Sequence, residues 1–243
     1  MASDICCTVV IYGPSGSGKS TLAQRLQRAG FSRIEQMTTR EARLFYTTTP
    51  GVVHDEAREG EYIFVSEKHF MNAFDRDTLA EITEFDKFPD GKVYYGSLLY
   101  KYKEPGFHVV TTNIEGAAQL AANEELAENL LFVETTADRL DLIERSIERK
   151  RDSLDEIVRR SVKERKLYFE PDKYDIFPEG FLPDILLDSG KYPERVQPVK
   201  EPFIFRDNLV VYYGSVDEAA ARVLMLIVNG YEHGLYRMPD IWR

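Results

Sequence analysis

The stretch "IYGPSGSGKST", Ile11 to Thr21, decides how this chain is read. Gly13, Gly18, Lys19 and Ser20 fit G-x-x-x-x-G-K-[ST] without a mismatch. The pattern has a physical purpose. Glycines let backbone N–H groups converge on phosphate oxygens, and the helix that follows presents its positive N-terminus to them. Lys19 can reach the β- and γ-phosphates, and the Ser20 hydroxyl suits Mg²⁺. Gly13, Ser15, Gly16, Ser17, Gly18, Lys19, Ser20 and Thr21 are therefore the candidate ATP-binding residues. Average residue usage puts a chance match in a chain of this length at on the order of 1%. Context strengthens it further: "ICCTVVIY" before the loop reads as a buried strand, and "STLAQRLQRAG" after it as a helix stopped by Gly30.

Working outward, "FHVVTT" (Phe107 to Thr112), "LLFVE" (Leu130 to Glu134) and "DILLD" (Asp184 to Asp188) read as further buried strands. The Ala-rich stretch "EGAAQLAANEELAEN" between the first two reads as helical. Strands alternating with helices imply a parallel sheet covered on both faces, an α/β fold. The texture changes between Arg33 and Lys101. "EYIFVS", "TLAEITEF" and "KVYYGS" are amphipathic strands, the last two separated by "DKFPDG" with an Asp-Gly turn signal. They predict a small mixed β insertion outside the main sheet. Asp138 to Phe169 is dense in charge with periodic Leu and Ile, predicting two helices joined near Asp152-Ser153. Tyr192 to Pro202 reads as a connector. "SVDEAAARVLMLIVNG" reads as a closing helix with Ser215 or Asp217 as cap and Gly230 as terminus.

Composition bounds the function. The 243 residues carry a formal charge of −10, with 43% hydrophobic and 30% charged residues. That is the profile of a soluble globular chain. The acidic balance argues against nucleic-acid partners, whose footprint is a basic face. The only two cysteines, Cys6 and Cys7, are adjacent, which predicts a reducing compartment. No signal-peptide pattern and no span of roughly 18 apolar residues is present, so a cytoplasmic, non-membrane protein is expected. Self-association into a homo-oligomer is left open.

Taken together, the chain resembles the guanylate kinases, P-loop nucleoside-monophosphate kinases, from about Ile5 to Ser189. "MTTREAR" (Met37 to Arg43) is similar to the family's Thr-Thr-Arg-x-x-Arg, "GEYIFVSEKHF" to its Asp-Tyr-x-Phe-Val-Ser stretch with Glu61 for the aspartate, and "YYGS" to its Tyr-Tyr-Gly-Thr/Ser. The resemblance implies a P-loop core at 1–32 and 101–243, with a lid at about 138–168 and a C-terminal extension from about 191. It makes 33–100 the acceptor-binding insertion. It implies transfer of the γ-phosphoryl of ATP, with Mg²⁺, to GMP or dGMP.

The site residues follow from the same likeness. Arg40, Arg43, Tyr62 and Tyr95 would hold the acceptor phosphate, and a guanidinium fork suits a phosphate dianion. Glu81, with Glu84 as rival, would accept guanine N1–H and N2–H, and Ser97 would meet O6. Arg145 and Arg149, one turn apart with Leu140, Ile143 and Ile147 opposite, and Arg160 would be lid arginines serving catalysis with Lys19.

The chain also departs from the family. Thr111 and Asn113 stand where the family has Asp-x-Asp, aspartates that help organise Mg²⁺ and the acceptor. Either Ser20, phosphates and water carry the cation, or a carboxylate such as Glu115 arrives from elsewhere. The stretch from Arg43 to Tyr62 is about twice the family's length, "DKFPDG" lengthens a turn, and Ile82 replaces a tryptophan. These changes cluster on the acceptor side. They suggest a deoxynucleotide or a modified base as acceptor. The alternatives are a kinase for another phosphorylated acceptor, such as a modified pyrimidine nucleotide or a ribose bisphosphate, and a non-catalytic binding module of the guanylate-kinase-like kind, which typically loses the lysine that this chain keeps as Lys19.

Overall fold

The computed structural model describes residues 6–42, 44–46, 53–55, 60–86, 91–149, 152–170, 172, 175–179, 181, 183–188, 211–213 and 216–232. Arg43, the proline-bearing connector and the "DKFPDG" turn beyond Asp86 lie outside or largely outside these residues.

The main sheet has six strands in the order β12-β11-β10-β1-β9-β2. They are β1 (Cys6–Tyr12), β2 (Ser32–Arg33), β9 (Gly106–Thr112), β10 (Leu130–Thr136), β11 (Ile185–Asp188) and β12 (Val211–Tyr213). All pairings within it are parallel. A parallel sheet needs cover on both faces, and the strand alternation supplies it. Cys7, Val9 and Ile11 of β1 join Leu22, Ala23 and Leu26 of α1 (Lys19–Arg28) and Ala219, Ala220, Val223 and Ile227 of α6 (Val216–Glu232). Val10 and Tyr12 point the other way, into a core with Ile114, Ala117 and Leu120 of α3 (Ile114–Ala122) and Tyr168 of α5 (Leu154–Phe169).

The second sheet is mixed, in the order β6-β3-β8-β7, and draws only on residues between Gln36 and Leu98. Its strands are β3 (Gln36–Thr38), β6 (Tyr62–Phe64), β7 (Leu79–Asp86) and β8 (Lys92–Leu98); α2 (Glu67–Asp75) lies between β6 and β7. A separate two-stranded ribbon pairs β4 (Leu44–Tyr46) with β5 (Val53–Asp55). The sheet order sets the faces. Glu81 pairs with Ser97 and Thr83 with Tyr95, whereas Glu84 pairs with Tyr94 on the opposite face.

Three expectations need correction. The Ala-rich helix ends at Ala122, because Asn123 turns the chain and only a short 3₁₀ turn (Ala127–Asn129) follows. The closing helix runs through Gly230 to Glu232. α4 (Arg139–Glu148) buries Leu142 and Asp141, while Leu140 and Ile147 on its expected apolar side are exposed. Leu142 is the one apolar side chain of this helix that is buried. The junction between α4 and α5 is as expected: Ser153 caps α5 by accepting the Glu156 N–H.

Candidate active site

The phosphate loop joins the C-terminal end of β1 to α1, where ligands gather in open α/β sheets. Gly13 has φ 148° and no room for a side chain, since a Cβ there would collide with the Thr135 carbonyl of β10. Ser17 ties the loop to the same strand. Its buried hydroxyl lies 2.8 Å from the Pro14 carbonyl and 2.6 Å from Thr135 Oγ1. Its side chain is thereby structural. Gly18 caps α1 in the left-handed region with no side-chain hydrogen bond, so the helix N-terminus is left to a ligand's charge.

Lys19 Nζ folds across the loop, donating to the carbonyls of Gly13 at 2.7 Å and Pro14 at 2.9 Å. Lost hydration lowers its pKa to about 8, with Arg149 and Arg160 pushing the same way and Glu164 and Glu61 opposing them. A lysine in such a setting gains its full charge when phosphate arrives.

The lid reaches this loop from α4 and α5. Arg145 Nη1 donates to the Gly16 carbonyl at 3.3 Å. Arg149 stacks back on its own helix, donating to the Arg145 carbonyl and to Ser146. Arg160 pairs with Asp152 at 3.2 Å and Glu156 at 3.0 Å, and its Nη1 lies 3.5 Å from Ser15 Oγ. Beside it, Glu164 Oε1 accepts the Ser15 backbone N–H at 2.8 Å. One residue earlier, the Lys163 ammonium sits 5.0 Å from the Phe85 ring of β7. A single helix thus touches both the phosphate loop and the second sheet.

On that sheet an aromatic cluster surrounds one arginine. Arg40 Nε donates to Tyr95 Oη at 2.9 Å, and its guanidinium lies 5.4 Å from the Tyr62 ring and 5.6 Å from the Phe64 ring. Tyr62 and Tyr95 meet edge-to-face at 5.8 Å. Cation–π contact holds the guanidinium against the rings, and its Nη1 donates to the Glu41 carbonyl at 2.9 Å. Burial pushes the Tyr62 hydroxyl well up, so it stays a donor. Arg40, Tyr62 and Tyr95 are brought together; Arg43 lies outside the described residues.

Glu81 is 2% exposed and Ser97 wholly buried. Glu81 Oε1 accepts from Gln36 Nε2 and from Ser97 Oγ, both at 2.9 Å, and Oε2 lies 3.5 Å from Thr112 Oγ1. Ser97 also shares a 2.7 Å hydrogen bond with Tyr102 Oη. Burial raises the Glu81 carboxyl pKa, and the donors from Gln36, Ser97 and Thr112 oppose that rise. Gly116 makes the fit possible, since a Cβ there would collide with Thr112 Oγ1 and lie 2.7 Å from Glu81 Oε2. Glu84, by contrast, is exposed and pairs with Lys92 at 2.6 Å. The two glutamates are thereby sorted by face.

The strand-end departures also have local accounts. Asn113 caps α3, its Oδ1 accepting the Gly116 N–H at 2.8 Å, and its Nδ2 donates to Glu115 at 3.2 Å. The carboxylate beside Ser20 is Glu61, whose Oε1 accepts from Ser20 Oγ at 3.0 Å. Arg33 Nη2 lies 2.7 Å from that same oxygen and 3.2 Å from Thr111 Oγ1. These hard oxygens are the donor type Mg²⁺ takes, alongside phosphate and water, so the residues fit the cation. Among the described residues no group of three or more His, Cys, Asp or Glu side chains could hold a metal by itself.

A phosphate loop, an arginine-bearing helical lid and a second sheet carrying an arginine–tyrosine cluster define a P-loop kinase fold. The chain belongs to the guanylate kinase family, whose model matches residues 6–180. Among solved structures, the guanylate kinase from Anaplasma phagocytophilum matches at 14% identity with a TM-score of 0.49, covering 94% of this chain and 88% of that one. No curated protein matches.

Sequence reasoning missed Gln36, Arg33, Thr112 and Glu164. Glu164 carried a usable signal, since it stands four residues after Arg160 and so on the same helix face. Gln36 and Thr112 carried none: Gln36 reaches Glu81 through the sheet order β3-β8-β7, in which both pair with Ser97, and Thr112 reaches it from the end of β9 in the main sheet.

Proposed function

We propose that the chain is an ATP-dependent nucleoside-monophosphate kinase, acting in the cytoplasm on small-molecule nucleotides, with GMP or dGMP as acceptor by resemblance. The observation that carries this is the span of α5. Arg160 and Glu164 meet Ser15 of the phosphate loop, while Lys163 lies over Phe85, a ring packed on Tyr95 at 5.4 Å. One helix therefore links the donor loop to the arginine–tyrosine cluster. Transfer between two phosphates needs that proximity, with reacting atoms about 3–3.5 Å apart.

In this reading, Arg40, Tyr62 and Tyr95 hold the acceptor phosphate, with Arg43 as a further candidate. One of its oxygens attacks the γ-phosphorus, and the bond to the bridging β–γ oxygen breaks, leaving ADP. Lys19 with Arg145, Arg149 and Arg160 stabilises the charge spread over the transferring group, which is most of what such a reaction needs. Bound Mg²⁺ would neutralise phosphate oxygens, with Ser20 among its holders. Glu81 and Ser97 read the base.

A second reading has its own support. Glu81 Oε1 already accepts two donors, Gln36 and Ser97. A base site completed by an amide favours an acceptor other than plain GMP: a modified or pyrimidine deoxynucleotide, or another phosphorylated small molecule. A non-catalytic binding module is the alternative outside enzymes, and retention of Lys19 weighs against it. The deciding experiment screens all ribo- and deoxynucleoside monophosphates with ATP-Mg²⁺, following ADP release. Release with guanine nucleotides supports the first reading, and release only with others the second. ATP binding without release under any acceptor marks a binding module.

A further inference from the structure

Four residues meet beside the phosphate loop, three of them on separate elements: Ser20 on α1, Arg33 on β2, Thr111 near the end of β9, and Glu61 just ahead of β6. Arg33 joins them. Its Nη2 lies 2.7 Å from Glu61 Oε1 and 3.2 Å from Thr111 Oγ1. Its side chain is only 7% exposed, and that of Glu61 16%. The end of β9 and the Glu61 carboxylate are thus two neighbours of one guanidinium nitrogen. At the end of β9 the side chain is a hydroxyl without charge. The negative charge is on Glu61, and the same Oε1 accepts from Ser20 Oγ at 3.0 Å.

That distance carries a second meaning. Octahedral Mg²⁺ holds its oxygens at about 2.1 Å, which puts adjacent ligands about 3.0 Å apart. Ser20 Oγ and Glu61 Oε1 have the separation of one octahedral edge. A cation held there would take a lone pair from each oxygen, the neutral Ser20 hydroxyl keeping its proton and turning it away from Glu61.

We propose that Glu61 is the protein carboxylate of the cation site, supplied from the edge of the second sheet because the end of β9 offers only Thr111. This rests on the kinase reading above. Arg33 neutralises and aims the Glu61 carboxylate before the cation arrives. Because Glu61 directly precedes Tyr62, the cation site is attached to the strand that holds the acceptor phosphate.

The test is an electron paramagnetic resonance titration of Mn²⁺ into the full chain with a non-hydrolysable ATP analogue. Glu61→Gln should weaken Mn²⁺ binding in this ternary complex about tenfold or more, the usual scale for losing a partner of a metal site. Its affinity for the analogue in EDTA should match wild type, which also verifies the fold. Arg33→Met breaks the ion pair but leaves the carboxylate, so it should keep or tighten Mn²⁺ binding. Thr111→Asp should restore binding in the Glu61→Gln background, returning a carboxylate beside Arg33. Unchanged Mn²⁺ affinity in Glu61→Gln would overturn the proposal while leaving the kinase reading intact. Equal weakening by Arg33→Met would also overturn it, making the pair a structural brace. Failure of the wild-type chain to bind the analogue at all would remove both.

Discussion

The carboxylate of Glu164 accepts the backbone N–H of Ser15 at 2.8 Å, so a lid anion occupies an amide of the phosphate loop. A triphosphate approaching that amide must displace a like charge. Glu164→Gln keeps the shape and one acceptor but removes the charge. The variant should bind ATP about three- to tenfold more tightly, in line with the extra strength of charge-assisted hydrogen bonds. Calorimetric titration measures this, and equal or weaker binding would show that Glu164 does not compete with phosphate.

Lys19→Ala should remove the charge nearest the transferring group while leaving the packed sheet untouched. A loss of turnover of about two to three orders of magnitude is expected, as for other single electrostatic groups of this kind. Circular dichroism controls for the fold. Undiminished ADP release by a folded variant would refute the kinase reading.

Lys19 also predicts a pH signature. Its pKa is held at about 8 against an ordinary 10.5. Between these values the unfolded chain binds a proton that the folded chain does not, so this group makes stability rise with pH across pH 8 to 10.5. Below pH 8 its penalty is present in full. Bound phosphate should restore the proton, so ATP binding at pH 9 should take up close to one proton and at pH 7 almost none. Calorimetry in buffers of differing ionisation enthalpy reads the difference; identical uptake at both values would contradict the assignment.

Arg40 is held by Tyr95 and by two aromatic rings on the second sheet. Arg40→Ala should raise KM for the acceptor monophosphate at least tenfold more than KM for ATP, since a lost charge-assisted contact is worth about 1.5–3 kcal/mol. Steady-state kinetics with each substrate varied in turn decide it. Equal effects on both would mean that the acceptor site lies elsewhere.

Glu81, proposed as the base reader, is also a buried acceptor for two donors. Glu81→Gln should cost about 1 kcal/mol of stability, because Gln36 and Ser97 would donate to a neutral amide oxygen and lose the extra strength of a charge-assisted hydrogen bond. Activity toward guanine nucleotides should fall, whereas Glu84→Gln, on an exposed side chain, should change neither property. Gly116→Ala should resemble Glu81→Gln, since its Cβ would enter the space of Thr112 Oγ1 and Glu81 Oε2. Urea unfolding and kcat/KM provide the readouts. A silent Gly116→Ala would show that the pocket has slack.

The sequence by itself determined the donor half. Gly13 to Ser20 are contiguous, and their geometry follows from a strand, a glycine loop and a helix, all local. The β-branched runs of β1, β9 and β10 likewise announce a buried parallel sheet, because a strand covered on both faces has no polar side. β12 and the short β3 were not legible. Three residues carry too little periodicity, and their pairing partners are distant in sequence.

The acceptor half was decided by tertiary structure. Glu81 and Glu84 look alike as letters, and only the register of β7 against β8 turns one inward to Ser97 and the other out to Lys92. Gln36, Thr112 and Gly116 reach Glu81 from three separate elements. Glu61, Arg33 and Thr111 meet beside Ser20 across as many as 91 residues of chain from Ser20 to Thr111. Such meetings have no local signature. Their free energy lies in burying and pairing polar groups that only the folded sheet order brings within hydrogen-bond reach.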